Sequence, residues 1–278
     1  MPTILVPIDL SIRSDRALRR ASILAKESGA DIRLLHVLGE PAADGTASGA
    51  IDKVRQRLSQ VASSITAFDG VTCDSRVVSG EPIEQIALAA EESQAALIVT
   101  APHRQRLMDL ITSPTAEILA KRSSAPVLIA NTLPAGGYRR ILVPTGLDSA
   151  SAQIMQTIAN LALGGSHELY TVYIREPLST LMFDSSEDRA NHLREELKGA
   201  DEDLRTFLEE NRLTDRVRRQ VRLNRSTVGL EVEECASELG CDAIAIASSQ
   251  KPFFEKMVMG SVAEAVVREV DTDIIIFP

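Results

Sequence analysis

Two short segments contain residue types that could bind a phosphorylated ligand. Gly260 and Ser261 stand at a predicted helix start, where free backbone N–H groups and the positive end of the helix dipole attract phosphate. Asp9 and Ser11 follow a short apolar run, which places a carboxylate and a hydroxyl at the end of a predicted strand. These segments favour a binding site, although a Gly-Ser pair is also a common helix cap.

Residues that could carry out catalysis form no recognisable set. His36, His103, His167 and His192 fall in different predicted elements, with no i, i+4 pairing that would seat a metal or a base. The three cysteines have no paired spacing, so they indicate neither a disulfide framework nor a zinc site. We expect these thiols to be buried and reduced. The sequence therefore predicts no catalytic residues and no metal site, and a hydrolase or transferase is disfavoured.

The elements that must position the two segments occur twice along the chain. Ile4–Pro7 recurs as Ile141–Pro144, 137 residues later, whereas later matches lie 147 residues apart. The second copy therefore contains ten additional residues, which we place between Arg175 and Leu197. The charged stretch Ser185–Arg219 has leucines at helical spacing and predicts a solvated amphipathic helix.

Within each copy, short apolar runs alternate with segments of helical periodicity. The order β-α-β-α-β-α-β-α-β predicts a parallel sheet with helices on both faces. We predict an α/β protein of two tandem doubly wound, Rossmann-like domains, each with five parallel strands. The predicted domains are residues 1–132 and 138–278, joined by the turn-forming Asn131–Gly137. Ligands in such sheets bind at the carboxyl ends of the strands.

Charge and hydropathy exclude several classes of partner. The formal net charge of −9 disfavours binding to nucleic acid or to anionic lipid, because both are polyanions. No run of about 18 apolar residues predicts a membrane span, and the N-terminus lacks the pattern of a signal peptide. We therefore expect a cytoplasmic protein with no nucleic acid and no membrane among its partners.

The repeated motifs resemble those of the universal stress protein family in its tandem form. They read ILVPID, LLHVL, SGEPIEQI, ALIVTAPH and APVLIA, then ILVPTG, LYTVYI, AIAIASSQ, GSVAEAVV and TDIIIF. The resemblance covers nearly the whole chain and implies a fold like that of the adenine nucleotide α-hydrolases. It also implies that Ala125–Ala130 and Thr272–Phe277, the last strands, pair antiparallel in an internal pseudo-dimer. Whether two whole chains form a homodimer stays open.

In the family, members that bind ATP have an acid after strand one and an aliphatic residue after strand two that packs on the adenine. Their loop after strand four has three glycines, in the pattern Gly-x-x-Gly, nine residues, then Gly followed by Ser or Thr. The first copy has the acid and the aliphatic residue as Asp9 and Val37. Its loop lacks all three glycines, and Pro114 stands at the helix start without an N–H to donate. The resemblance therefore implies only a weak nucleotide site in the first copy.

The second copy retains more of the phosphate loop. Gly260 and Ser261 are present, but Ala247 and Gln250 replace the other two glycines, and Gly146 replaces the acid. The resemblance assigns the binding of ATP, ADP or AMP to this copy alone, through Pro144, Thr145, Ile174, Ala247, Gln250, Gly260, Ser261 and Val262.

Two functions therefore remain open. The first is a stress-response regulatory protein that binds an adenine nucleotide in its second domain, hydrolyses it little or not at all, and acts on an unidentified protein partner. The alternative is a scaffold without nucleotide, or a binder of another small ligand, that works through protein–protein contacts.

Overall fold

The computed structural model describes residues 1–11, 14–39, 47–102, 114–158, 161, 163, 166–177, 185–248 and 262–278. Helices and strands alternate within each copy of the repeat, and the chain falls into two compact units. The first unit contains Met1–Tyr138, a short piece around Leu163, and the C-terminal Asp273–Pro278. The second unit contains most of residues 139–272. The predicted α/β fold is confirmed, while the domain boundaries 1–132 and 138–278 stay predictions.

The first unit is built on strands from both ends of the chain. Its elements are β1 (Thr3–Pro7), α1 (Ser14–Ser28), β2 (Asp31–Leu38), α2 (Ala47–Asp69), β3 (Cys73–Ser79), α3 (Pro82–Glu92), β4 (Ala95–Thr100), α4 (Pro114–Arg122), β5 (Val127–Ile129) and β10 (Asp273–Phe277). The strand order is β3-β2-β1-β4-β5-β10, with all neighbours parallel except β5 and β10. The central strands are fully buried and aliphatic, as expected for a parallel sheet between helices.

The second unit repeats the scheme with four parallel strands. Its elements are β6 (Arg140–Thr145), α5 (Ser149–Thr157), β7 (Glu168–Arg175), α6 (Ser186–Glu210), β8 (Val217–Leu223), α7 (Val228–Leu239), β9 (Ala243–Ala247) and α8 (Val262–Glu269). The order is β9-β6-β7-β8. Local signals set the ends of α7, because the Thr227 side chain accepts a hydrogen bond from Leu230 N and Gly240 adopts a left-handed conformation after the last turn.

The additional residues of the second copy lie in two places, not one. In the first copy Ile32 lies beside Cys73, and in the second copy the equivalent Leu169 lies beside Val217. Equivalent residues are therefore 144 positions apart at β8, compared with 137 before it and 147 after it. Seven of the ten additional residues therefore precede β8, and three lie between β8 and α7. The predicted helix over Ser185–Arg219 is also wrong at its end, because residues 217–219 belong to β8.

The pairing of the two last strands is confirmed. β5 and β10 run antiparallel, with Leu128 opposite Ile275. At the start of β10, the fully buried carboxylate of Asp273 accepts hydrogen bonds from Tyr138 Oη at 2.7 Å and from Thr132 N at 2.7 Å. The Arg20 guanidinium, on α1, lies 2.8 Å from the same carboxylate. This buried ion pair joins α1, the segment before β6 and the C-terminal strand within the first unit.

A glycine permits the close packing of α7 on α8. A Cβ atom built on Gly229 would lie 2.6 Å from the carbonyl oxygen of Ala265, which is closer than real Cβ atoms approach backbone. Gly199 in α6 has no such neighbour, since the nearest atom to its Cβ would be an Arg175 nitrogen at 3.9 Å. The packing of α7 on α8 therefore requires a glycine at position 229, whereas position 199 has room for a side chain.

We expect Gly229→Ala and Gly199→Ala to change stability in opposite directions. The first change forces α7 away from α8 and should lower the free energy of unfolding by about 1–3 kcal/mol. The second removes backbone freedom from the unfolded chain and should raise it by about 0.5–1 kcal/mol. Urea unfolding of the two variants checks this, and equal effects would contradict the packing argument.

Candidate functional site

The carboxyl ends of β9, β6 and β7 lie side by side in the second unit. The chain leaves β6 toward one side to form β7 and β8, and returns to form β9 on the other side. This reversal is the switch point at which open α/β sheets bind ligands. Thr145 ends β6 beside Tyr173, Ala247 ends β9, and Ile174 is the penultimate residue of β7. The structure thus brings the predicted residues Pro144, Thr145, Ile174 and Ala247 to adjacent strand ends.

The turn after β6 is held by buried hydroxyl groups. Leu147 has a φ of 60°, and its N–H donates to Thr145 Oγ1 at 2.9 Å. Thr145 Oγ1 also lies 2.7 Å from Ser151 Oγ, and both of these side chains are buried. Asp148 caps α5 by accepting a hydrogen bond from Ser151 N at 2.8 Å. The one carboxylate of this turn is therefore engaged at the helix start.

The equivalent turn after β1 has the same backbone but different side chains. Leu10 has a φ of 61°, matching Leu147 in the second copy. Here Asp9 Oδ1 accepts hydrogen bonds from Ser11 N at 2.9 Å and from the Ser14 hydroxyl. Ser14 Oγ in turn accepts a hydrogen bond from Asp9 N at 3.1 Å. Each copy thus holds this turn with one carboxylate and one serine, but the carboxylate stands two positions later in the second copy.

The two aliphatic positions predicted to cover an adenine have different neighbours. Val37 on β2 and Ile174 on β7 are both half-buried. Val37 lies beside Val78 of β3, whereas Ile174 lies beside Arg222 of β8. Arg222 is held by three carboxylates of α7, those of Glu231, Glu234 and Glu238. In the second copy, the neighbour of Ile174 is therefore an arginine whose charge is balanced by glutamates. The sequence did not predict this neighbour, because the additional residues were placed wrongly and β8 was not aligned with β3.

The structure describes only the two ends of the loop between β9 and α8. Ala247 ends β9, and the described part of α8 spans Val262–Glu269. The predicted residues Gln250, Gly260 and Ser261 lie outside the described residues. In the first copy β4 ends at Thr100, the equivalent of Ala247, and α4 begins at Pro114. His103 also lies outside the described residues.

Comparison with known proteins agrees with this architecture. The sequence profile of the universal stress protein family matches residues 1–131 and again residues 137–278. The chain belongs to the universal stress protein family. The two matches also confirm the tandem form of the family. No protein with a curated description matches the chain in sequence.

Solved structures are similar to this universal stress protein over its whole length or over about half of it. A universal stress protein from Archaeoglobus fulgidus DSM 4304 is 19% identical with a TM-score of 0.68, over 99% of this chain and 97% of that chain. A functionally unknown protein from Pseudomonas aeruginosa PAO1 is 17% identical with a TM-score of 0.64, over 100% and 92%. A universal stress protein from Archaeoglobus fulgidus in complex with dAMP is 24% identical with a TM-score of 0.37, over 46% and 97%. At these identities the first two structures show the fold alone.

The thiols of this universal stress protein are poor nucleophiles. Burial raises the pKa of Cys73 to about 12, helped by the nearby Asp74. Burial also raises the pKa of Cys241 to about 12, with further contributions from Cys235 and Asp242. Because the thiolate is the reactive form, these side chains stay unreactive near neutral pH.

Two of the described histidines make contacts within the fold. His36 Nδ1 lies 2.7 Å from the carbonyl oxygen of Ile8 and thereby ties β2 to the end of β1. His192 Nε2 lies 3.6 Å from Glu196 on α6, an i, i+4 contact that the sequence analysis overlooked. The described residues include no group of three His, Cys, Asp or Glu side chains arranged to hold a metal ion. Among the described helices, none has the length and apolar composition to cross a membrane.

The carboxyl group of Asp9 is held in its ionised form. Partial burial alone would raise its pKa, but hydrogen bonds from Ser11 and Ser14 outweigh this effect and lower the pKa to about 2. The group therefore favours the folded state above its ordinary pKa near 3.8, and this contribution is lost as the pH falls from about 4 to about 2. At neutral pH the end of β1 is negatively charged.

We expect Ser14→Ala to raise the pKa of Asp9 toward 3.8, because the variant removes one hydrogen bond to the carboxylate. Ser151→Ala is the matched control, since Ser151 is the equivalent serine of the second copy and should leave Asp9 unchanged. Carboxyl carbon NMR titration of both variants measures the shift. An Asp9 pKa near 3.8 in the unmodified chain would refute the proposed hydrogen bonding.

Proposed function

We propose that this family member is a cytoplasmic stress-response protein that holds an adenine nucleotide, ATP, ADP or AMP, in its second copy. Nucleotide occupancy then regulates contacts with a protein partner, and turnover of the nucleotide is slow or absent. Family membership supports a role of this kind, and the residues at the start of the last helix favour the second copy over the first.

The observation that carries the proposal is the difference between two helix starts. In the sequence, Gly260 and Ser261 directly precede α8, and both have a backbone N–H, the group through which a helix start binds an anion. α4 begins at Pro114, which has no N–H. A phosphate would therefore gain more hydrogen bonds at the second copy.

The residue after the first strand differs between the copies and favours the first copy, because members of the family that bind ATP have an acid there. In the first copy the ionised Asp9 stands where the second copy has Gly146, which has no side chain. Gly146 also has little spare room, since a Cβ atom there would lie 3.1 Å from Asp148 Oδ2. At this position the first copy therefore matches the ATP-binding members more closely, and the preference for the second copy rests on the residues before α8.

The first test is the content of the purified protein. The chain is denatured, and the small molecules that it releases are identified by mass spectrometry. About one equivalent of ATP, ADP or AMP per chain is the expected result. An empty protein that also gives no binding heat with ATP would refute the proposal and favour the scaffold without nucleotide.

A matched pair of variants tests which copy binds. Ile174→Glu should weaken ATP binding by about tenfold or more, because it places a carboxylate beside the ligand. Val37→Glu makes the same change at the equivalent half-buried position of the first copy and should leave affinity unchanged. Calorimetric titration with ATP measures both. Loss of binding in Val37→Glu alone would place the nucleotide in the first copy and contradict the proposal.

A further inference from the structure

The residues that pair between β5 and β10 do not by themselves distinguish β10 from the β5 strand of a second chain as the partner of β5. Leu128 lies opposite Ile275, which is its own equivalent in the second copy, 147 residues later. On either side of this pair, Ile129 lies opposite Ile274 and Val127 opposite Ile276. The register is therefore centred on a residue and its duplicate. Two β5 strands from two chains could form the same register, with Leu128 opposite Leu128.

The side chains of the ladder are also interchangeable in chemistry. All six paired residues are buried aliphatic side chains, namely Val127, Leu128, Ile129, Ile274, Ile275 and Ile276. An apolar strand edge of this kind accepts any strand of matching length. Selection of the correct partner must therefore come from outside the ladder.

The polar cluster around Asp273 breaks this symmetry. Arg20 Nη2 lies 2.8 Å from Asp273 Oδ2, and Arg20 Nη1 donates to the carbonyl oxygen of Gly136 at 2.8 Å. The guanidinium also stacks on the Tyr138 ring, 4.6 Å from its centre. Both charged side chains are almost fully buried. The equivalents of Arg20 and Asp273 in the other copy are Thr157 and Pro126, so neither charge is duplicated.

We propose that the Arg20–Asp273 pair selects β10 of the same chain as the partner of β5 and rejects β5 of a second copy. If β5 of a second copy replaced β10, its Pro126 would take the place of Asp273. Arg20 would then be buried without a carboxylate, which is strongly destabilising. The selection goes beyond nucleotide binding and does not depend on it.

Three variants of the full chain separate this selection from simple stability. Arg20→Met leaves Asp273 buried without a cation in the native pairing, but removes the obstacle to pairing between two β5 strands. Asp273→Leu leaves Arg20 without a carboxylate in either pairing. The double variant R20M/D273L has no uncompensated charge, and the native pairing is then favoured again by its high effective concentration.

The readout is an added cysteine at the centre of the ladder. In each variant and in the unmodified chain, Leu128→Cys reports β5–β5 pairing as a disulfide-linked dimer, because two such cysteines would lie opposite each other. The same chains with Leu128 intact control for disulfides of the three natural cysteines. Light scattering after size-exclusion chromatography gives the mass in solution.

We expect R20M to form at least about ten times more cross-linked dimer than the unmodified chain, with D273L and the double variant near the unmodified level. R20M that stays monomeric, or D273L that dimerises equally, would overturn the proposal. Failure of R20M to fold while D273L folds would also overturn it, because R20M should have an alternative pairing. If neither folds, Arg20→Gln takes the place of R20M with the same expectation and the same contrary result.

Discussion

The ion pair between Arg20 and Asp273 is the interaction on which the first unit depends. It lies where the C-terminal strand, the segment before β6 and helix α1 meet, and both side chains are almost fully removed from water. Removing one partner of such a pair costs about 3–5 kcal/mol, because the other charge is left buried. Tyr138 and Thr132 donate to the same carboxylate, so the start of β10 is held by a connected set of hydrogen bonds. The paired aliphatic residues of β5 and β10 bury apolar surface, while the polar cluster around Asp273 fixes where β10 begins.

Duplication has preserved the backbone and changed the contacts. The turns after β1 and β6 have nearly equal φ values at Leu10 and Leu147, although different side chains hold them. Across the outer strands, a salt bridge between Arg33 and Asp74 in the first copy is replaced by Arg218 stacked on Tyr170 in the second. Both exchanges keep a favourable contact at the same place in the fold. The candidate site follows the same rule, because the carboxylate of Asp9 is replaced by that of Asp148, two positions later, which caps α5.

Alternating apolar runs and helical periodicity were sufficient to predict the α/β fold and the sequential order of strands and helices in each copy, whereas the family resemblance predicted the antiparallel pairing of the last strands. Repetition made these predictions secure, since each element had to fit twice. Placement of the additional residues failed because the loops around β8 carry no repeated motif, and only the strand register revealed the three residues before α7. The Asp273 cluster was not predicted, because its members are scattered through the sequence and none of its charges is duplicated. For the candidate site, the sequence located the strand ends but not the hydroxyl and carboxylate contacts that hold their turns.

The most direct test of this account is hydrogen exchange of the backbone amides. If the buried Arg20–Asp273 pair holds β10 in the first unit, the ladder amides of Ile274–Ile276 should exchange as slowly as those of the central strand residues Ile4–Val6. Exchange of the β10 amides many times faster than those of β1 would contradict the account. It would mean that the C-terminal strand opens independently and that the ion pair does not hold it in place.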